Sequence, residues 1–179
     1  LSELLGRSRS TAGDFRVWSA ASSSGEEAYS IAMLLADKLG LRGWEIIGTD
    51  LSTQMVDSAR RALYTLERAR NVPKPYLKQY CLKGEGKYDG YLLIDKPLRA
   101  RVHFQGANLT QDLPEIGQFD VIFLRNVLIY FDNPGKQDIV NRVITRLKPG
   151  GYLFTGHAES LANLNVPLKA IAPAIYAVR

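Results

Sequence analysis

The chain has 179 residues, 46% hydrophobic and 23% charged, which fits one soluble domain with one core; no apolar run approaches the length that spans a bilayer. One cysteine, Cys81, excludes an internal disulfide and fits the cytosol, and His103 and His157 stand in no metal-ligand spacing. The formal charge of +5 is uneven: residues 60–101 hold eleven Lys and Arg against four acids, net +7, leaving −2 elsewhere. Such a patch attracts an acidic partner or is simply a solvated face.

The opening "LSELLGRSRS" has neither an initiator methionine nor the apolar core of a signal peptide, so a fragment with something upstream missing is expected. The first strand is "RVWSA", 16–20, followed by "ASSSGEE" and a helix over 26–39 with Ile31, Leu34, Leu35 and Leu39 on its apolar face. This is the layout of a phosphate-binding turn, with Gly25 as its last glycine and Ala21 and Ser23 where the other two would stand; an ordinary tight turn is the alternative. Glu26 and Glu27 at the helix start would repel a pyrophosphate where amides and helix dipole should attract one. They favour a nucleoside that carries a cation, or merely complement the helix dipole.

The second strand, "WEIIGTD" at 44–50, ends in Asp50, twenty-five residues after Gly25, near the spacing at which a carboxylate grips ribose hydroxyls. Asp50 can equally cap the next helix, which Ser52 starts and which runs to about Ala62. From Tyr76 to Phe104, short strand-like runs broken by Gly84, Gly86, Gly90 and Pro97 predict a small antiparallel insertion that continues into the third parallel strand, "RVHFQ" at 101–105. That strand runs into "GANL", where Asn108 can bond an adenine edge under Leu109, or form a turn. The fourth strand, "FDVIFL" at 119–124, stops at Arg125 and Asn126, a polar pair hard to explain by packing. Pro134 suits the first turn of a helix with Ile139, Val143 and Leu147 on its apolar face, and "GYLFTG" at 151–156 is a fifth strand. The tail "LKAIAPAIYAVR" reads as two short edge strands, the last entering the sheet antiparallel. Together the elements predict an α/β protein with a parallel sheet covered by helices, its ligand at the carboxyl ends of the strands.

The stretches "VWSAASSSGEEAYSIAMLLAD", "IIGTDLST", "NLTQDLP", "FDVIFLRNVLIYFD" and "LKPGGYLFTGHAESL" resemble, in order and spacing, the CheR family of chemotaxis receptor methyltransferases. The resemblance covers nearly the whole chain, and "GEEAYSIAM" with "RNVLIYFD" is its most specific part. It implies a class I S-adenosylmethionine-dependent methyltransferase fold, Rossmann-like, with a seven-stranded sheet and a small antiparallel β-subdomain, placed at 76–101 of a catalytic domain spanning 1–179. The implied chemistry is methyl transfer to glutamate carboxylates on chemoreceptor cytoplasmic helices, forming glutamyl methyl esters and S-adenosylhomocysteine.

By the same resemblance, Ala21 and Glu27 are expected at the methionine portion, Asp50 at the ribose, and Asn108 and Leu109 at the adenine. Arg125 and Asn126 are expected to line the cofactor cleft, with Arg125 and Tyr130 as the catalytic candidates, Tyr130 near the departing methyl group. Ser23 and Ser24 depart from a threonine that relatives often carry in this turn. An upstream helical module and a segment that closes over the cofactor are expected to precede this chain. The pattern "GEGKYDG" implies that the β-subdomain docks a receptor C-terminal tail peptide as an added strand. The location implied is cytoplasmic, at membrane receptor arrays, with no direct membrane insertion and no nucleic acid.

Three rivals remain. A nucleic-acid methyltransferase would use the basic region, but "RNVLIY" stands where an Asn-Pro-Pro-Tyr type of signature is usual. A noncatalytic module that binds S-adenosylmethionine or tethers a receptor would keep the same pocket. A nicotinamide-dependent dehydrogenase is disfavoured by the two glutamates and the missing glycines.

Overall fold

The computed structural model describes Leu5 and residues 13–179. In chain order the elements are β1 (Phe15–Ser19), α1 (Glu26–Leu39), β2 (Trp44–Asp50), α2 (Thr53–Arg61), β3 (Leu63–Thr65), α3 (Lys74–Tyr80), β4 (Cys81–Lys83) and β5 (Tyr91–Ile94). There follow α4 (Lys96–Arg99), β6 (Val102–Gly106), β7 (Phe119–Leu124), α5 (Asn133–Ile144), β8 (Leu147–Thr155), β9 (Leu168–Ala172) and β10 (Ile175–Val178).

Seven strands form the main sheet in the order β6-β2-β1-β7-β8-β10-β9. The five from β6 to β8 run parallel, while β10 pairs antiparallel with both β8 and β9. The last strand therefore enters the sheet antiparallel, as expected, but it lies inside β9 rather than at the edge. From β1 the chain first builds outward through β2 and β6, then returns to the other side of β1 for β7. The carboxyl ends of β1 and β7 thus flank the point where strand order reverses, the usual place for a ligand crevice in an open sheet.

Period-two alternation sorts the side chains onto two faces. Val17 of β1, Ile46 of β2 and Val121 and Phe123 of β7 join α1, α2 and the small sheet in one buried cluster. Trp18, Ile122 and Leu124 join Ile139, Val140 and Val143 of α5 in the other. The β7–β8 register shifts between Phe119 and Val121, with the extra residues in β8, and these two residues join opposite clusters. Each fully buried large side chain contributes roughly 1.5–3 kcal/mol.

The helix boundaries follow local chemistry. The Ser52 side chain accepts from the Met55 amide at 3.2 Å and starts α2, and Asp132 Oδ1 accepts from the Gly135 amide at 2.9 Å and starts α5. Leu147, expected on the helical face of α5, instead opens β8 and pairs with Phe119. The residue before Pro149 is pushed from the helical region towards extended backbone, so the chain leaves the helix before Leu147.

The small antiparallel sheet has the order β3-β5-β4. Its β3 comes from residues 63–65, ahead of the stretch where the sequence places the insertion, and Tyr76–Tyr80 lies in helix α3 rather than in a strand. Three residues are too few to show a period of two, so pairing with β5 decides β3.

Candidate functional site

A cleft of about 680 Å³ opens at the carboxyl ends of β1, β2, β6 and β7. It lies within the 300–1,000 Å³ typical of small-molecule sites. Ala21, Glu27, Asp50, Asn108, Leu109, Arg125, Asn126 and Tyr130 all line it, so the structure brings together the eight residues that the resemblance places at the cofactor or the methyl group.

The turn after β1 forms one wall. Ser23 has φ of 49° and Gly25 of 95°, both left-handed, which is why small residues stand here. A Cβ on Gly25 would lie 2.9 Å from the Tyr64 hydroxyl and 3.1 Å from the Phe104 ring. Tyr64 itself donates to the Ser24 carbonyl at 2.6 Å, so β3 buttresses the turn from behind. Burial pushes the Tyr64 hydroxyl pKa far up, and it remains a neutral donor.

Asp50 is held rigidly. Its Oδ2 accepts from the Ser23 amide at 2.9 Å and its Oδ1 from the Ser52 amide at 3.0 Å. The two amides orient the carboxylate and leave further acceptor capacity for a ligand hydroxyl. Asp50 therefore supports the start of α2, as one sequence reading has it, and also lines the cleft.

The two glutamates separate. Glu26 Oε1 accepts from Ser24 Oγ at 2.5 Å and pairs with Arg68 at 3.3 Å, so its charge is answered from the segment after β3. Glu27 accepts from Ser19 Oγ at 2.9 Å and faces the Arg125 guanidinium at 3.5 Å across the mouth of β1 and β7. Burial raises the Glu27 carboxyl above its ordinary range; the Ser19 hydrogen bond and Arg125 oppose the rise, and the negative charge of Glu159 adds to it.

Asn108 does form a turn: its Oδ1 accepts from the Thr110 amide at 3.0 Å and from the Thr110 hydroxyl at 2.6 Å. That commitment fixes the amide plane and directs Nδ2, a donor of two hydrogens, away from the turn. Leu109 is buried beside it, its carbonyl accepting from Arg142 at 2.7 Å. On the far wall Asn126 sits at φ 60°. Tyr130 is 77% exposed at the rim, where it belongs to neither buried cluster.

One residue escaped the sequence reading. Glu159 follows β8 and is buried, yet its carboxylate reaches the segment after β7 and accepts from the backbone amides of Asn126, Val127 and Leu128. The motif "GHAESL" contains it, but nothing in its spacing shows that its partners lie some thirty residues upstream.

The five parallel strands, the antiparallel β10 between β8 and β9, and a cleft at the strand ends give the chain the fold of the class I S-adenosylmethionine-dependent methyltransferases. The family described as CheR methyltransferase, SAM binding domain, matches residues 1–176, and the chain belongs to that family. The chemotaxis protein methyltransferase of Salmonella typhimurium is 38% identical over 169 residues, covering 93% of this chain and 59% of that protein. Its Escherichia coli counterpart is 38% identical over 178 residues, covering 98% and 62%. The chain thus spans about three fifths of the length of these relatives. Among solved structures, the glycopeptide N-methyltransferase MtfA superposes with a TM-score of 0.51 at 16% identity, over 99% of this chain and 60% of that one, a likeness of fold.

Proposed function

We propose that this domain transfers a methyl group from S-adenosylmethionine to glutamate side chains on the cytoplasmic helices of chemoreceptors. The observation that carries the reading is the Glu27–Arg125 pair, 3.5 Å apart within a cleft whose other wall carries Asp50 and Asn108, in a chain of the CheR family.

The donor set fits the cofactor. A zwitterionic amino-acid end finds a carboxylate in Glu27 for its ammonium and a guanidinium in Arg125 for its carboxyl group, with Ala21 leaving room beside them. Asp50, aimed by two amides, accepts from ribose hydroxyls, and the Asn108 Nδ2 donates to an adenine ring nitrogen while Leu109 covers the ring. When bound, S-adenosylmethionine supplies an electrophilic methyl on a sulfonium.

The chain's own residues have modest work to do. The acceptor glutamate is ionised at neutral pH, so no general base is assigned. Holding two reactants in line is worth about 7–11 kcal/mol in the best cases, and the walls of the cleft supply that alignment. Arg125 pairs with the cofactor's carboxyl group or with the incoming glutamate, and Tyr130 stands at the rim through which the acceptor enters. The small sheet, within the basic region, is assigned to docking a receptor tail peptide by strand addition, which would bring the enzyme to receptor arrays.

Calorimetric titration with S-adenosylhomocysteine, compared with Asp50→Ala, tests the cofactor reading; loss of one ribose carboxylate weakens binding by about 1.5–3 kcal/mol. Incubation of the chain with labelled S-adenosylmethionine and a receptor cytoplasmic fragment tests the reaction. Base-labile label on receptor glutamates is expected; binding without transfer would favour a sensing or tethering module.

A further inference from the structure

We infer that Glu159 is a positioning residue for the amino-acid end of the cofactor cleft, acting through the backbone of Asn126–Leu128. This rests on the cofactor reading above and adds a residue outside the cleft lining to it.

Glu159 is 5% exposed and sits in a tight turn in which its own amide bonds the Gly156 carbonyl at 2.9 Å. Its Oε1 accepts from the Asn126 amide at 2.5 Å and the Gly156 amide at 3.1 Å. Its Oε2 accepts from the Val127 amide at 3.1 Å and the Leu128 amide at 2.7 Å. Four amides occupy the roughly four acceptor sites a carboxylate offers. No Lys or Arg among the described residues forms an ion pair with it, and its hydrogen-bond partners there are all backbone N–H groups.

Three of those amides follow directly from Arg125. They bond the backbone on either side of the left-handed Asn126, a conformation asparagine takes more readily than most residues, and so fix the path of the chain there. Gly156 is fitted to the same contact: a Cβ there would lie 2.6 Å from Glu159 Oε1. The direction in which β7 delivers Arg125 and Asn126 to the cleft is therefore set from β8. The opposite end has separate supports, since Asp50 is aimed by Ser23 and Ser52, and Asn108 by Thr110. Disturbing Glu159 should damage one end of the cleft and spare the other.

Glu159→Gln replaces one acceptor oxygen with a donor that must face backbone N–H groups. The test titrates the full chain and E159Q with S-adenosylhomocysteine and with 5′-methylthioadenosine, which has the same nucleoside and thioether but no amino-acid end. The expected result is unchanged affinity for 5′-methylthioadenosine and about tenfold or greater loss for S-adenosylhomocysteine. Gly156→Ala, which crowds the carboxylate without removing it, should show the same selectivity and decides the matter if E159Q does not fold. Equal weakening of both ligands, or of neither, overturns the positioning role while leaving the cofactor reading intact. A wild-type chain that binds neither ligand overturns the cofactor reading, and this inference with it.

Discussion

Glu27 carries the sharpest consequence at the scale of single residues. Burial holds its carboxyl above the ordinary value, so the unfolded chain ionises it at lower pH than the folded one does. Between those two values the folded state binds more protons, and stability falls as pH rises. Above the raised value the cost is complete; below the ordinary carboxylate range it is gone. Glu27→Gln is therefore expected to raise the melting temperature near neutral pH, with the gain shrinking as the solution is acidified. The same substitution should weaken S-adenosylhomocysteine, because a neutral amide offers less to an ammonium than a desolvated carboxylate does. Thermal melts at several pH values, with calorimetry at one, separate the two effects. An unchanged melting temperature and unchanged affinity would show that Glu27 is neither desolvated in solution nor in contact with the ligand.

Among elements, the turn between β1 and α1 depends on its fit to β3 and α2. Gly25 combines a left-handed backbone with space bounded by the Tyr64 hydroxyl at 2.9 Å and the Ala59 methyl at 3.0 Å. Gly25→Ala should cost about 1–3 kcal/mol through backbone strain, with more added by the contacts. It should also weaken cofactor binding by displacing Ser23, whose amide aims Asp50. Urea unfolding measures the first expectation; a loss of a few tenths of a kcal/mol would show that the turn adapts freely. Tyr64 and Arg68 belong to β3 and the segment after it, yet both touch this turn, so the small sheet is joined to the cofactor cleft.

For the whole molecule, Trp18 links the central strands. It is fully buried, stacks on Phe119 with ring centroids 5.5 Å apart, and donates from Nε1 to Thr49 Oγ1 at 3.0 Å, which in turn donates to the Ala20 carbonyl at 2.8 Å. The contact runs beneath the cleft between the ends of β1 and β2. Trp18→Ala should destabilise the domain by about 3–5 kcal/mol, enough to unfold many proteins of marginal stability. Denaturant titration followed by circular dichroism would show it, and a loss below about 1 kcal/mol would contradict the packing described. The basic region works at this scale too. If the small sheet docks a receptor tail by strand addition, the peptide should bind more tightly than its scrambled form, and a salt-sensitive excess would assign part of that affinity to local charge.

Hydrophobic period and turn chemistry declare themselves over a few neighbouring residues, and so the sequence alone determined the main strands, α1, the capped start of α2, the proline in the first turn of α5, and the antiparallel last strand. It also brought forward the polar groups at the strand ends, since carboxylates and a polar Arg-Asn pair after apolar strands have a meaning that does not wait for coordinates. Tertiary structure alone decided three things. The strand at 63–65 exists because β5 pairs with it; Glu26 and Glu27, adjacent in sequence, face Arg68 and Arg125 respectively; and Glu159 reaches back to the amides after β7. Each depends on partners distant along the chain. Local patterns report which residues want burial or a bond, whereas the partner they find is set by how the sheet brings separate segments together.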